Sequence, residues 1–490
     1  MIGSKKKIAI IGGGISGLSA ANYAAKKGHE VHIFEKNDSL GGRARQFKTE
    51  NGFTFDMGPS WYWMPDIIEN FFKDFNSTTS EHYKLVNLDP QFEIVFKDKN
   101  VNVPSNYEDL KNLFESIEVG AANRLDEFMR DAKIKYEVGM HQFVEKPCNS
   151  WFEFFSLTIA KSALKLDILT NYRSFVAKYF KHQYLQSIME FPVIFLGASP
   201  KNIPAMYSLM NYGGYQLGTW YPMGGFYELI LAMQRLAEKQ NVKIHLNAAV
   251  DKIEVEKNKA KGIVINGELI HFDQVIASAD YQHAETLIRE DERNYTNEYW
   301  EKKTFAPSCL IFYLGINQKL PNLTHHTLFF ENELDQHIDE IYETKEWPTS
   351  PLFYVCCPSK TDPNVAPNDS ENLFLLMPIG IGMEDKEEIR EHYLKEMLQR
   401  IESKTGIENL ADKIIYKRSY CVNDFVKDYN AYGGNAYGLA NTLNQTGVLK
   451  PAIRNKKIKN LIYTGQLTVP GPGVPPSLIS GKIAANQINL

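Results

Sequence analysis

Cysteine is scarce in this 490-residue chain: Cys148, Cys309, Cys356, Cys357 and Cys421 are the full set. None forms a C-x-x-C pair, so neither a disulfide framework nor a thiolate zinc site is expected, and the five read as reduced thiols of a cytosolic protein. Long apolar runs are missing too. Behind the basic start Met1 to Lys7, only Ile8 to Ile11 is continuously apolar. A signal peptide needs roughly 7–15 such residues and a spanning helix about 20, so neither is expected. There is no excess of one charge: 54 basic against 59 acidic residues leave −5, which argues against a nucleic-acid partner. No Ser-His-Asp order, H-E-x-x-H helix or carboxylate pair announces hydrolytic or metal chemistry. The twelve histidines are scattered, His325-His326 reads as a turn, and no metal site is expected. Internal repeats and low-complexity linkers are likewise absent. The remainder, 43% hydrophobic and 23% charged, has ample chain to bury the cores of two or three domains.

What is present begins at once. Lys7 to Ile11 is a short apolar strand, Gly12-Gly13-Gly14-Ile15-Ser16-Gly17 follows, and an Ala-rich helix from Leu18 to Lys27 ends at Gly28. Glu30 to Phe34 is a second strand with Glu35 at its carboxyl end. This is G-x-G-x-x-G in strand–turn–helix–strand context, the dinucleotide-binding fingerprint. Gly12 serves the tight turn, Gly14 the approach of a pyrophosphate and Gly17 close helix–strand packing. The pyrophosphate sits on the positive end of the helix, and Glu35 accepts from a ribose hydroxyl.

Leu40-Gly41-Gly42-Arg43 follows within ten residues of Glu35, adding a second backbone approach and a positive charge near the phosphates. This resembles the GG-R extension of the FAD-containing amine oxidase and phytoene desaturase superfamily. The resemblance narrows at separated points. Asp56-Met57-Gly58-Pro59-Ser60-Trp61-Tyr62-Trp63-Met64-Pro65 resembles the D-x-GPS element of bacterial carotenoid desaturases, and Tyr221-Pro222-Met223-Gly224-Gly225 their Y/W-P-x-GG loop. Gly434 to Leu439 with Gln445, and Pro470 to Pro475, match two further elements. Asn435 stands where Ser is usual, and Gln466 where Ala or an acid is usual.

The resemblance implies an α/β fold: a Rossmann-like FAD-binding domain (1–80, 241–294, 455–490) interleaved with a mixed-sheet plus helical substrate-binding domain (81–240, 295–454). Re-entry strands are expected at Val242 to Leu246, Val250 to Ile253, Gly262 to Ile265, Glu268 to Ile270, Gln274 to Asp280 and Asn460 to Gly465, and a last helix at Ser477 to Gln487. Non-covalent FAD is the implied cofactor, because no cysteine follows Cys421 to attach it. Its expected contacts are Gly12, Gly14, Ile15, Ser16, Gly17, Glu35, Lys36, Gly41, Gly42, Arg43, Gly58, Pro59, Ser60, Val250, Gly465, Gln466, Val474 and Pro475. Trp61, Trp63, Tyr221 and Gly224 are expected at the substrate pocket. Asp56 is a candidate near the site, and no catalytic base is assigned.

The implied activity is that of an FAD-dependent oxidoreductase on CH–CH bonds, desaturating a long-chain carotenoid, first of all phytoene stepwise toward lycopene. The alternatives are a later-pathway 3,4-desaturase acting on a hydroxylated or cyclised carotene, a flavin amine oxidase, and a non-catalytic prenyl-lipid escort. Oxygen or a quinone would accept the electrons.

Aromatics are unevenly spread: Phe53 to Phe75, Trp151 to Phe195 and Asn202 to Tyr227 together hold 26 of the 60. The last of these is uncharged and glycine-rich, either backbone beside a ligand or a core loop. Trp151 to Glu190 carries a local +2 among its aromatics. An interfacial helix on anionic lipid and an ordinary packed helix fit that pattern equally. The first would make the protein cytoplasmic and peripheral to the inner face of the cell membrane, with contact near 151–195. Glu331 to Glu346, with seven acids and one lysine, reads as a solvated face.

Overall fold

Five short runs of β-branched and aliphatic residues form one parallel sheet in the spatial order Leu461–Tyr463, Gln274–Ala277, Lys7–Ile11, Glu30–Phe34, Lys243–His245. The computed structural model describes residues 5–140, 144–150, 166–194 and 196–488. Ile8 pairs with Gln274, Lys7 with Glu30, His32 with Lys243 and Val275 with Leu461. The strands come from three distant stretches, so the chain leaves this sheet and returns to it twice. Both faces are covered, which is why the central strands are apolar without alternation.

The helices Ile15–Lys26 and Val474–Asn486 pack against each other beside the sheet. Each starts earlier than expected. Gly14 caps the first, so Gly17 lies inside the helix. Pro475 and Pro476 occupy the first turn of the second, where a missing N–H costs nothing. The strand expected from Val250 is instead Lys252–Glu256. It belongs to a separate antiparallel sheet with Lys259–Ile265 and Glu268–His271, and Val250 stays in the loop before it.

The second sheet has seven strands in the order Ile414–Tyr420, Ser308–Ile316, Glu371–Ile379, Phe353–Cys356, His326–Phe329, Phe92–Val95, Asn100–Val103. Its pairing is antiparallel except between Phe92–Val95 and His326–Phe329. Strand alternation divides its side chains between two cores. Leu310, Phe312 and Leu314 pack with Leu394, Met397 and Ile401 of the helix Glu387–Thr405, while Cys309, Ile311, Tyr313 and Tyr354 face the other way.

Two expectations about polar runs are corrected. His325 and His326 do not form a turn. His326 opens a strand with partners on both sides, and both rings are buried. The acidic run 331–346 is not a bare solvated face either, because its carboxylates meet cations from other elements. Asp335 accepts from Arg173 Nη1 at 2.6 Å and pairs with Lys201, and Glu331 pairs with Arg400. Of the segment read as a membrane contact, 151–165 and 195 lie outside the described residues. The rest forms the helices Tyr172–Tyr179 and Gln183–Ile194, joined where Arg173 also grips Glu190. Among the described residues, no helix is long and apolar enough to cross a membrane.

Candidate active site

One cavity of about 690 Å³ runs from the glycine turn to the inner face of the seven-stranded sheet. Its nucleotide end is built by chain ends. Gly12, Gly14, Ile15 and Ser16 reach it from the first strand–helix turn, Glu35 and Lys36 from the second strand, Gly41 to Arg43 from the next loop. Val250 closes one side, and Gly465, Gln466, Val474 and Pro475 the other. Gly58, Pro59 and Ser60 lead onward to Trp61 and Trp63, which wall the apolar end with Met64, Leu209, Met210 and Leu376. The uncharged 202–227 run therefore contributes directly to the wall, and Gly214 lies against the Trp63 indole.

Three expected residues are not on this wall. Gly17 is in the helix behind it, where a Cβ would stand 2.1 Å from the Gly12 carbonyl oxygen. Tyr221 lines a small separate pocket with Asp56, Ser60, His325 and Cys356. Gly224 donates its N–H to Asp362 at 2.7 Å and accepts from Gln46 Nε2. Asp56 holds the same loop, accepting from Gln46 Nε2 at 3.0 Å and from the N–H groups of Phe226 and Tyr227. Burial pushes its carboxyl up to about 6 against those three donors. Tyr221, Gly224 and Asp56 thus belong to the scaffold under the cavity.

The nucleotide end fits a dinucleotide. At Gly42 (φ +55) a side chain would stand 3.2 Å from the Gly14 Cα, so two backbones share one narrow approach. Arg43 donates from Nη2 to the Asn435 carbonyl at 3.0 Å and lies over the Tyr429 ring, while its Nε is buried with no partner among the described residues. Burial lowers the Arg43 guanidinium from its ordinary value and the Asp280 carboxylate opposes that. A half-buried cation with a donor turned into the wall beside a helix N-terminus suits a pyrophosphate. Glu35 is held by its own surroundings, accepting from Gly13 N–H at 2.8 Å and from the backbone and side chain of Asn37. A carboxylate retains further acceptor capacity toward a ribose. The two departures from the resembled pattern answer each other: Gln466 Nε2 donates to Asn435 Oδ1 at 3.0 Å, which also accepts from Gly438 N–H.

Some wall residues carried no motif in the sequence: Ser278, whose hydroxyl meets Ser16 at 2.8 Å, and the 428–430 turn under the two arginines. Tyr354 comes from the run Leu352 to Val355, which reads in the sequence as a strand of a sheet flooring a substrate cavity, and it does line the wall. Only the pairing of distant strands brings them in.

The flavin containing amine oxidoreductase family matches residues 15–489. A carotenoid 3,4-desaturase of Haloarcula japonica is 39% identical over 488 residues, 99% of this chain and 98% of that one. A 4,4'-diapophytoene desaturase (4,4'-diaponeurosporene-forming) of Staphylococcus haemolyticus is 31% identical over 495 residues, 98% of each. An oxidoreductase of known structure from Methanosarcina mazei shares the fold, with a TM-score of 0.64 at 17% identity over 97% of this chain and 99% of that one. A phosphate-receiving turn continuous with an apolar chamber, a family match across nearly the whole chain and relatives of this similarity place the protein: it belongs to the flavin-containing amine oxidoreductases, in the group of the carotenoid desaturases, with FAD as its cofactor.

Proposed function

We propose that the enzyme acts late in a pathway, as a 3,4-desaturase of a hydroxylated or cyclised carotene. The observation that supports this is the similarity to the Haloarcula japonica enzyme along 99% of the chain. Carotenoid desaturation itself, the two-electron oxidation of a CH–CH bond, follows from the family. A second reading is stepwise desaturation of phytoene toward lycopene. It is favoured by the Gly58-Pro59-Ser60-Trp61-Tyr62-Trp63 element, whose two cavity-facing indoles suit an extended polyene.

Bound FAD supplies the hydride acceptor. The chain supplies the rest. Arg43 and the N-terminus of Ile15–Lys26 balance the diphosphate, and the N-terminus of Val474–Asn486 offers a positive dipole end at the cavity wall. Trp61, Trp63 and Leu376 hold an apolar chain in line and exclude water from the reacting carbons. Oxygen or a membrane quinone takes the electrons onward. The carotene is drawn from a membrane surface, and Leu169, 92% exposed, is an apolar group available to such a surface. This makes the enzyme peripheral to the inner face of the cell membrane.

Expression in cells that accumulate phytoene, and in cells that accumulate a hydroxylated acyclic carotene, tests the assignment by pigment extraction. Conversion of the hydroxylated carotene beside unchanged phytoene is expected. Conversion of phytoene to lycopene would replace the first reading by the second.

A further inference from the structure

Removing two hydrogens from neighbouring carbons needs a destination for a proton as well as for a hydride. The carboxylates on the cavity wall are committed at the nucleotide end. Glu35 is tied to Gly13 and Asn37, Asp428 to Arg45, and Asp280 caps the helix Tyr281–Thr286 beside Arg43. At the apolar end a different set of groups reaches the wall. Ser60 and Tyr354 both line it, and their hydroxyl oxygens are 2.9 Å apart. Behind Tyr354, its hydroxyl shares a 2.6 Å hydrogen bond with His326 Nδ1. His326 is fully buried, and its Nε2 has no partner among the described residues. Its ring lies flat against the Trp61 indole, centroids 4.0 Å apart and 15° between planes.

We propose that Ser60, Tyr354 and His326 form the proton-accepting relay of the desaturation, running from the substrate cavity to a buried imidazole. The inference rests on the desaturase reading above. One C–H bond of the CH–CH pair breaks with its electron pair going to the flavin. The neighbouring C–H bond releases a proton, and its bonding pair becomes the new π bond. That proton goes to Ser60 Oγ, the Ser60 hydroxyl proton passes to Tyr354, and the Tyr354 proton passes to His326 Nδ1. Among the described residues no carboxylate neutralises the imidazolium so formed. The groups that face it are His325, with ring centroids 4.5 Å apart, Cys356, its strand partner, and Tyr354. The Trp61 face supports the charge, as an aromatic ring supports any cation stacked on it. Burial and His325 hold His326 well below the ordinary histidine value, so it waits in the neutral, accepting form. The carbon beside a departing hydride is a strong acid, so a weak base suffices, and the proton is readily returned before the next cycle. Ser60 and Tyr354 are the groups that meet substrate, and His326 acts through Tyr354.

The test uses flavin-loaded enzyme mixed anaerobically with phytoene or a hydroxylated acyclic carotene in micelles, following bleaching of the flavin. The variants are Tyr354→Phe, His326→Gln, Ser60→Ala and Ser60→Thr. Tyr354→Phe and His326→Gln are expected to bleach roughly 100-fold more slowly, with the flavin spectrum and KM unchanged. Ser60→Thr keeps a hydroxyl and is expected to restore what Ser60→Ala loses. In the wild type the rate is expected to fall as pH drops and His326 becomes protonated, and His326→Gln is expected to lose that acid limb. Wild-type rates in both Tyr354→Phe and His326→Gln overturn the relay, as does a loss confined to KM. Should either protein fail to fold, the Ser60 pair decides, with equal rates for Ala and Thr counting against the relay. A wild-type flavin bleached by neither carotene would overturn the desaturase reading itself, and the relay with it.

Discussion

Arg43 and Glu285 are both ionisable groups withdrawn from water, and their surroundings give them opposite consequences. Arg43 has its Nη2 satisfied by a carbonyl and its Nε without a partner among the described residues, so its charge is stored for a ligand at the cavity wall. Arg43→Gln is expected to weaken flavin binding by about 10- to 100-fold, the worth of one charge-assisted hydrogen bond. Titrating the apoprotein with FAD and following flavin fluorescence measures it, and unchanged affinity would remove Arg43 from the site. Glu285 lies away from the cavity, accepting from Asn294 N–H at 2.6 Å, and burial pushes its carboxyl from 4.5 up to about 7. The folded state therefore holds this proton more tightly than the unfolded chain does. Its favourable contribution is full below the unfolded pKa, near 4.5, and is lost as pH rises through about 7. Glu285→Gln is expected to be more stable than the wild type at pH 8 by roughly 3 kcal/mol and equal to it at pH 4. Urea denaturation at the two pH values reads the difference.

At the scale of elements, two contacts hold the site in place. The helices Ile15–Lys26 and Val474–Asn486 meet so closely that a Cβ on Gly481 would stand 2.4 Å from the Ser16 carbonyl oxygen and 2.7 Å from Ala20 N. Backbone cannot yield as a side chain can, so Gly481→Ala is expected to cost about 1–3 kcal/mol. It is also expected to lower the flavin content of the purified protein, because both helix N-termini face the cavity. Full flavin loading at wild-type stability would show that the crossing has slack. The second contact is the Arg173 fork, which joins Glu190 of one helix to Asp335 of the acidic segment. Arg173→Ala leaves Glu190, 6% exposed in its side chain, without its counter-charge. A loss of about 3–5 kcal/mol is expected in chemical denaturation. A change within experimental error would mean that Lys201, which already pairs with Asp335, takes over.

At the scale of the whole molecule, a parallel nucleotide layer and a mostly antiparallel floor enclose one continuous chamber, polar at one end and apolar at the other. If the apolar end is filled from a bilayer, the protein is expected to float with anionic vesicles of phosphatidylglycerol and to leave them as salt rises. Equal recovery with neutral vesicles would replace the electrostatic account by a purely apolar one.

Much of this was legible in the residue order, for a local reason. A glycine turn between a strand and a helix, followed by Glu35 and then Gly41-Gly42-Arg43, sets phosphate geometry within a span of about thirty residues, and backbone dihedrals there depend little on the rest of the chain. Helix ends were less legible: the last helix is expected from Ser477, and only the packed structure shows that Val474 is its first residue. Of the seven-stranded sheet, the runs Cys309 to Leu314, Leu352 to Val355 and Leu373 to Met377 are legible as strands of one sheet flooring a substrate cavity, while the full strand order is not. Its order joins residues 92–95 to 326–329, and no periodicity encodes a partner more than two hundred residues away.

The same reason separates what sequence determined from what tertiary structure decided. Sequence alone determined the dinucleotide site, the flavin-enzyme resemblance and the aromatic wealth outside the nucleotide layer, because each resides in contiguous residues. It did not determine that Tyr221 lines a separate small pocket while Asp56 holds a loop, nor that Gln466 and Asn435 compensate each other. It read His325-His326 as a turn, whereas strand pairing buries His326 behind Tyr354. Those assignments depend on which face of a strand meets which cavity, and that is decided only when distant strands find their register.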